Sequence, residues 1–354
     1  MPDHSLVAIG CYTETMPHVT GAGKGIEIVA LNNATGALEK RLTTPGPRNP
    51  SYLAVNTASD RLYAVDRLLY AVEELDAKDG PRTHAFALDA SSGALTLLGT
   101  APCPGTAACH VSVSADNRRL YVSNYVTGDL LCYGLDAKGI PTGAPQVLSR
   151  PGKPNGHFAM ENEGGLVLFC DAGNDTIVGY RPDGDRLKPE PEIEIAATPK
   201  SFPRHLAYIP GTKAFLVAAE HASLLTIFSL DNGASKKGDE LSSLPADWTG
   251  GKGAAAVRVH PNGRWGYMSN RGGHDSIFGA EIDADNLQLR PIGIWKTGGK
   301  VPRDFAIDPS GRWMIVAHQD SSDLVTFAID QSTGALTPTG HTLALGSPVS
   351  VLFL

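Results

Sequence analysis

The chain is 354 residues long, 42% hydrophobic and carries a net charge of −7, so it can bury a substantial core while offering no clustered basic surface for nucleic acid. No apolar run approaches the ~20 residues of a membrane span, and the opening MPDHSLVAIGCYTE has neither the basic nor the apolar region of a signal peptide. We therefore expect no nucleic-acid or membrane partner and a cytoplasmic location.

In chain order, the first predicted element is the apolar strand LVAIGCYTE (6–14), followed by the alternating GIEIVALNNATGALEK (25–40). From residue 51 one unit recurs: a short apolar strand, a polar turn, and a second apolar strand ending in a polar residue. It reads SYLAVNTASDRLYAVD (51–66), HVSVSADNRRLYVSNY (110–125), HFAMENEGGLVLFCDA (157–172), HLAYIPGTKAFLVAAE (205–220), AVRVHPNGRWGYMSNR (256–271) and DFAIDPSGRWMIVAHQ (304–319). Period-two segments such as THAFALDASSGALTLLG (83–99) and VTFAIDQSTGALTPTG (325–340) supply two further strands, with Ser-Gly, Asn-Gly and Asp-Asn at the turns. With Leu53, Val111, Phe158, Leu206, Val257 and Phe305 as anchors, the spacings are 58, 47, 48, 51 and 48 residues, a propeller-blade period. The last segment, SPVSVLFL (347–354), is a first strand lacking a second, which residues 6–14 supply. The expected fold is all-β: one domain over 1–354, a seven-bladed β-propeller of four-stranded antiparallel blades, its ring closed by the N- and C-terminal strands in one blade.

In such a ring the first strand of each blade lines the channel, and its start adjoins the end of the second strand. The starts offer Tyr52, His110, His157, Arg204, His205, Arg303 and Asp304; the ends offer Tyr12, Asp66, Asn124, Tyr125, Asp171, Glu220, Asn270, Arg271, His318 and Gln319. The opposite mouth carries turn residues such as Pro261-Asn262-Gly263, so the chemistry is expected at one face. Two long connections, 13–24 and 67–82, are expected to form a rim there. His84, His221, His260, His274 and His341 are expected at surfaces or turns, and Trp265 and Trp313 in blade packing. Cys11, Cys103, Cys109, Cys132 and Cys170 lack C-x-x-C spacing and are expected to be reduced structural thiols.

The chain resembles the seven-bladed propeller lactonases, a family that includes propeller-type 6-phosphogluconolactonases and fungal carboxy-cis,cis-muconate cyclases. GCYTE (10–14), NPSYLAV (49–55), HVSVSADNRRLYVSNY (110–125), FPRHLAY (202–208), MSNRGGHDSI (268–277) and PRDFAIDPSGRWMIVAHQDSSDLV from 302 onward carry the resemblance, which covers essentially the whole chain. It implies a catalytic His, two Arg and a Glu, falling on His157, Arg204, Arg271 and Glu220, and a site that uses no metal and no cofactor. Departures are Gly-Cys-Tyr-Thr where the family often has Gly-Thr-Tyr-Thr, and Asn-Gly ahead of His157.

Opening a lactone requires an activated water, stabilisation of the oxyanion and a hold on the substrate's polar groups. Glu220 or His157 suits the general base. Arg204 and Arg271 suit the developing charge, or a carboxylate or phosphate. Tyr12, Tyr52, His110, Asn124, Asp171, His205, Arg303, His318 and Gln319 are expected to contact substrate. A ring of Asp66, Asn124, Asp171, Glu220 and Asn270 is an alternative hard-oxygen set for Ca²⁺. No HExxH, zinc spacing, GxSxG elbow or phosphate-cradling loop is present. The function expected is hydrolysis of a small-molecule lactone of a sugar acid by a monomer or weak homodimer; a lactonising carboxymuconate-type cyclase and a non-enzymatic interaction scaffold are the alternatives.

Overall fold

In the computed structural model, which describes residues 3–56 and 67–354, the strands form seven four-stranded antiparallel sheets and two short hairpins. Numbered in chain order, the innermost and second strands are Pro50–Val55 and Arg67–Glu73 in blade one, Ala108–Val113 and Arg119–Asn124 in blade two, and Gly156–Glu161 and Val167–Asp171 in blade three. They are Pro203–Tyr208 and Ala214–Ala219 in blade four, Ala254–Val259 and Trp265–Asn270 in blade five, and Pro302–Ile307 and Trp313–His318 in blade six. Blade seven joins the chain ends: Pro348–Phe353 is innermost, with His4–Cys11 beside it and Ile9 opposite Val351. Each innermost strand packs against that of the next blade, and Pro348–Phe353 touches both Pro302–Ile307 and Pro50–Val55, which closes the ring.

Strand alternation dictates where the core lies. Each sheet buries apolar side chains against both neighbours, so the core is divided among seven main clusters, one per pair of adjacent blades. Leu216 and Ile227 meet Met268 and Phe278 between blades four and five. Val7 and Ile9 meet Ile315 and Ala317 at the closure, where Trp313 is also buried, and Trp265 fills the wedge between blades five and six. Gly10 of the GCYT segment sits where a Cβ would lie 2.2 Å from the Pro50 carbonyl oxygen, so only glycine lets blade seven approach blade one. Among the described residues no helix is long and apolar enough to cross a membrane.

The structure corrects three expectations. The second strand of blade one is Arg67–Glu73, not 61–66, and Asp66 lies outside the described residues. The run RLLYAVE, which nearly repeats RLYAVD just before it, forms that strand. The rim segment placed at 67–82 is therefore only 74–81, since Arg82–Leu88 is the third strand. Finally, His84, His260 and His274 are buried: His84 Nε2 lies 3.1 Å from Glu73 Oε1, His260 reaches the Gly311 carbonyl at 2.9 Å, and His274 Nδ1 meets the Ser276 hydroxyl at 2.7 Å.

Candidate active site

At the mouth where the innermost strands begin, one local geometry recurs in every blade. The pairing of the innermost and second strands shifts register there, a β-bulge that re-aims a side chain. The residues at the shifts include Ser51, Cys109, His157, Arg204, Ala255, Arg303 and Val349. In six blades the residue just before the innermost strand is left-handed without being glycine, Phe202 at φ 64° and the β-branched Val301 at φ 59° among them; such conformations are costly for L-residues and cluster at functional sites. The carbonyl of the residue just before each innermost strand accepts the N–H of the first residue past the second strand. The pairs are Asn49–Glu74 at 3.1 Å, Ala107–Tyr125 at 2.8 Å, Asn155–Ala172 at 3.0 Å, Phe202–Glu220 at 2.9 Å, Gly253–Arg271 at 2.8 Å, Val301–Gln319 at 3.0 Å and Ser347–Tyr12 at 3.0 Å. The backbone thus sets a residue past each second strand beside a bulge residue, seven times around the channel.

These rings wall a cavity of about 710 Å³, lined by Glu74, Cys109, Tyr125, His157, Arg204, Glu220, Arg271 and Arg303, with Glu14–His18 and Asp76, Lys78 and Asp79 at its rim. Arg48 braces the rim by donating to both Glu14 oxygens at 2.6 and 3.0 Å and to the Asp79 carbonyl at 3.4 Å. Both oxygens of Glu220 are taken: Oε2 lies 3.0 Å from Arg204 Nε and Oε1 2.8 Å from an Arg271 terminal nitrogen. Arg204 is further committed to the Ala255 carbonyl at 2.9 Å. Besides Glu220, Arg271 reaches the Gly253 and Ala254 carbonyls at 3.4 and 3.5 Å, and its side chain is 16% exposed against 11% for Arg303 and 3% for Arg204, so it is the most accessible of the three guanidiniums to a ligand. Across the cavity, Glu74 Oε2 accepts from the Tyr12 hydroxyl at 2.7 Å and from Arg303 at 3.3 Å, whose guanidinium lies 5.2 Å above the Tyr12 ring.

Burial alone would raise the Glu220 carboxyl, but the guanidinium groups of Arg271, Arg204 and Arg303 outweigh it and hold the group below the ordinary carboxylate range. Burial, aided by Arg271, pushes Arg204 down to about 10, leaving it charged at neutral pH. His157 is pushed well below its ordinary value by burial and by Arg204, Arg303 and Arg271, so its imidazole is neutral; Nδ1 has no hydrogen-bond partner among the described residues. Three guanidiniums face two carboxylates in the wall, an electrostatic preference for a ligand that carries or acquires negative charge.

Of the residues expected to carry the chemistry, His157, Arg204, Glu220 and Arg271 all line the cavity, and so does Arg303. Tyr12 stands one layer behind, its hydroxyl on Glu74. The remaining assignments to substrate contact are corrected. Asn124 donates to the Pro104 carbonyl at 2.8 Å. Asp171 accepts from Asn174 at 3.0 and 2.9 Å and from Arg150 at 3.2 Å. His318 Nδ1 pairs with Asp323 at 2.6 Å. Asn270 likewise donates to the Ser243 carbonyl at 3.1 Å. These four are the last residues of their second strands, and with side-chain period two the last residue faces away from the cavity while the next faces in. The hard-oxygen ring therefore does not converge. Gln319 sits in a side recess with Met16–Thr20 and Asp320. Tyr52 and His110 line a separate recess at the opposite mouth, and His205 is buried between, its ring 5.0 Å from His157 and 6.0 Å from His110.

Sequence reasoning missed Glu74. It stands in blade one where Glu220 stands in blade four, and the duplicated strand hid it. The signal was the 58-residue anchor spacing, which marks an insertion in that blade. All five cysteines are buried and free, Cys109 in the cavity wall. Burial pushes Cys103 up to about 11 and Cys132 up to about 12, and raises Cys11, Cys109 and Cys170 further.

Comparison with known proteins agrees with this architecture. The sequence model of the family described as "Lactonase, 7-bladed beta-propeller" matches residues 6–353. A Bacillus subtilis protein named 6-phosphogluconolactonase is 28% identical over 357 residues, covering 98% of this chain and 97% of the relative. An uncharacterised Lactococcus lactis protein is 28% identical over 342 residues, 94% of each chain. The structure titled periplasmic gluconolactonase PpgL from Pseudomonas aeruginosa superposes with a TM-score of 0.90 at 25% identity, covering 99% of both chains.

Proposed function

The chain belongs to the seven-bladed β-propeller lactonase family, and from that premise we propose that it hydrolyses the lactone of a sugar acid, 6-phosphogluconolactone or an unphosphorylated aldonic or aldaric lactone, in the cavity walled by Arg204, Arg271 and Arg303. The observation that carries this reading is the convergence of Arg204, Arg271 and Arg303 with Glu74, Glu220 and His157 on the inner wall of one cavity of about 710 Å³. Ester hydrolysis creates negative charge twice, as an oxyanion on the way and as a carboxylate at the end, and guanidiniums at the inner wall favour both. Arg271, paired with Glu220 and the most exposed of the three guanidiniums at 16%, is the group we assign to the oxyanion. Arg204 is held by Glu220 and the Ala255 carbonyl and keeps the field in place. A general base in the wall activates the water, and the neutral His157 lines the pocket beside it.

Acid release in a weakly buffered indicator assay tests this, with 6-phosphogluconolactone, gluconolactone and an aldaric lactone offered separately, with and without EDTA, and spontaneous hydrolysis subtracted. We expect EDTA-resistant acceleration of one of the three. No acceleration of any would remove the proposal in favour of the muconate-type cyclase, to be tested next with a carboxymuconate.

A further inference from the structure

We propose that Glu74, not Glu220, is the carboxylate that takes the proton from the attacking water. This rests on the lactonase reading of the same cavity. The two carboxylates differ in what their oxygens already hold. Glu220 has a guanidinium nitrogen at 3.0 Å from one oxygen and at 2.8 Å from the other, so accepting a proton would break an ion pair on either side. Glu74 is oriented through one oxygen only: Oε2 takes the Tyr12 hydroxyl at 2.7 Å and Arg303 at 3.3 Å. Its Oε1 makes no hydrogen bond among the described residues, and its ion-pair-range contact is His18 Nε2 at 3.8 Å, an imidazole whose pKa burial holds below its ordinary value. A carboxylate fixed by two donors on one oxygen and open on the other is the arrangement a positioned base requires. The Glu74 side chain is only 8% exposed, its backbone N–H is tied to the Asn49 carbonyl at 3.1 Å, and it lines the same cavity as Arg271.

The step balances without a further reactant. Glu74 Oε1 accepts one water proton as the water oxygen bonds to the lactone carbonyl carbon, and the carbonyl electron pair moves to oxygen facing Arg271. When that pair returns, the ring C–O bond breaks, and the leaving oxygen takes the proton back from Glu74. One lactone and one water give one hydroxy acid, whose proton is released to solvent. Glu220 is then a positioning residue that holds Arg204 and Arg271 in place.

The test compares wild type, Glu74→Gln, Glu74→Ala and Glu220→Ala on whichever of the three lactones wild type opens fastest, with and without added sodium formate. Gln keeps an acceptor oxygen for the Tyr12 hydroxyl, and thermal unfolding of each variant checks the fold. Loss of a general base predicts a fall in kcat of about 10²–10⁴-fold with KM changed less than about threefold, and partial recovery of Glu74→Ala by formate, which places a small carboxylate in the vacated space. Glu220→Ala should show no formate recovery. A Glu74→Gln variant within tenfold of wild-type kcat, or a Glu74→Ala variant that formate does not restore, overturns the assignment while leaving the lactonase reading intact. A wild type that opens none of the lactones overturns both.

Discussion

His110, His157 and His205 form a buried cluster under the active-site cavity, exposed by 1%, 3% and 2%, and this makes the fold sensitive to mild acid. Burial, reinforced by neighbouring cationic groups, pushes all three imidazoles well below their ordinary value. The folded chain therefore refuses protons that the unfolded chain accepts near pH 6.5. Their contribution to stability is complete above that pH and is lost as pH falls toward the lowered folded-state values. Between pH 7.5 and 5.5 each such histidine removes about 1.4 kcal/mol, and the three together about 4 kcal/mol. For a chain of this length that corresponds to a fall of about 5 °C in Tm. Differential scanning calorimetry of wild type and a His157→Gln/His205→Gln variant at the two pH values isolates the effect, because every other titrating group is common to both proteins. The variant, which keeps only His110 of the three, should lose about 2 °C where wild type loses about 5 °C. Equal losses in the two proteins would refute the reasoning.

Other predictions follow from single contacts. Glu220→Gln removes the partner of two guanidiniums, Arg204 being 2% exposed; breaking a buried pair in this way costs about 3–5 kcal/mol, which should lower Tm by about 5 °C, and an unchanged Tm would show the pair to be energetically idle. Gly10→Ala puts a Cβ 2.2 Å from the Pro50 carbonyl oxygen and should lower Tm by several degrees without altering KM in the surviving folded protein; a Tm within 1 °C of wild type, about 1 kcal/mol, would contradict the close approach of blades seven and one. The five buried thiols, all with raised pKa, should be unreactive toward a thiol reagent such as dithionitrobenzoate at pH 8 until the chain is unfolded; rapid titration of even one in the native protein would be inconsistent with their burial.

The blades were legible in the sequence because each strand pair repeats at a nearly constant spacing, and even the closure by residues 6–14 and 347–354 could be inferred from two incomplete units. The cavity-lining positions His157, Arg204, Glu220, Arg271 and Arg303 were legible for the same reason: a blade fixes which strand ends meet. Two kinds of detail were not. Side-chain facing at the strand ends depends on a single residue of register, so Asn124, Asp171 and His318 were grouped with the inward-facing residues that follow them. The bulges that turn His157, Arg204 and Arg303 inward leave no separate mark in the residue pattern. Glu74 was hidden by a local duplication: RLYAVD and RLLYAVE carry nearly the same strand pattern, and it is the later one that packs Leu68, Tyr70 and Val72 against blade two. His110 and Tyr52 were placed on the channel correctly but at the wrong depth, which a one-dimensional repeat does not encode.

The most direct test of the central claim, that lactone opening takes place among these guanidiniums, is the kcat of Arg271→Ala on the lactone that wild type opens fastest. Arg271 is the most exposed of the three guanidiniums, at 16% against 11% for Arg303 and 3% for Arg204. Loss of an oxyanion donor predicts a fall of about 10²–10³-fold, or about 2.7–4 kcal/mol of transition-state stabilisation. A folded variant whose kcat stays within threefold of wild type would contradict the account and place the reaction elsewhere.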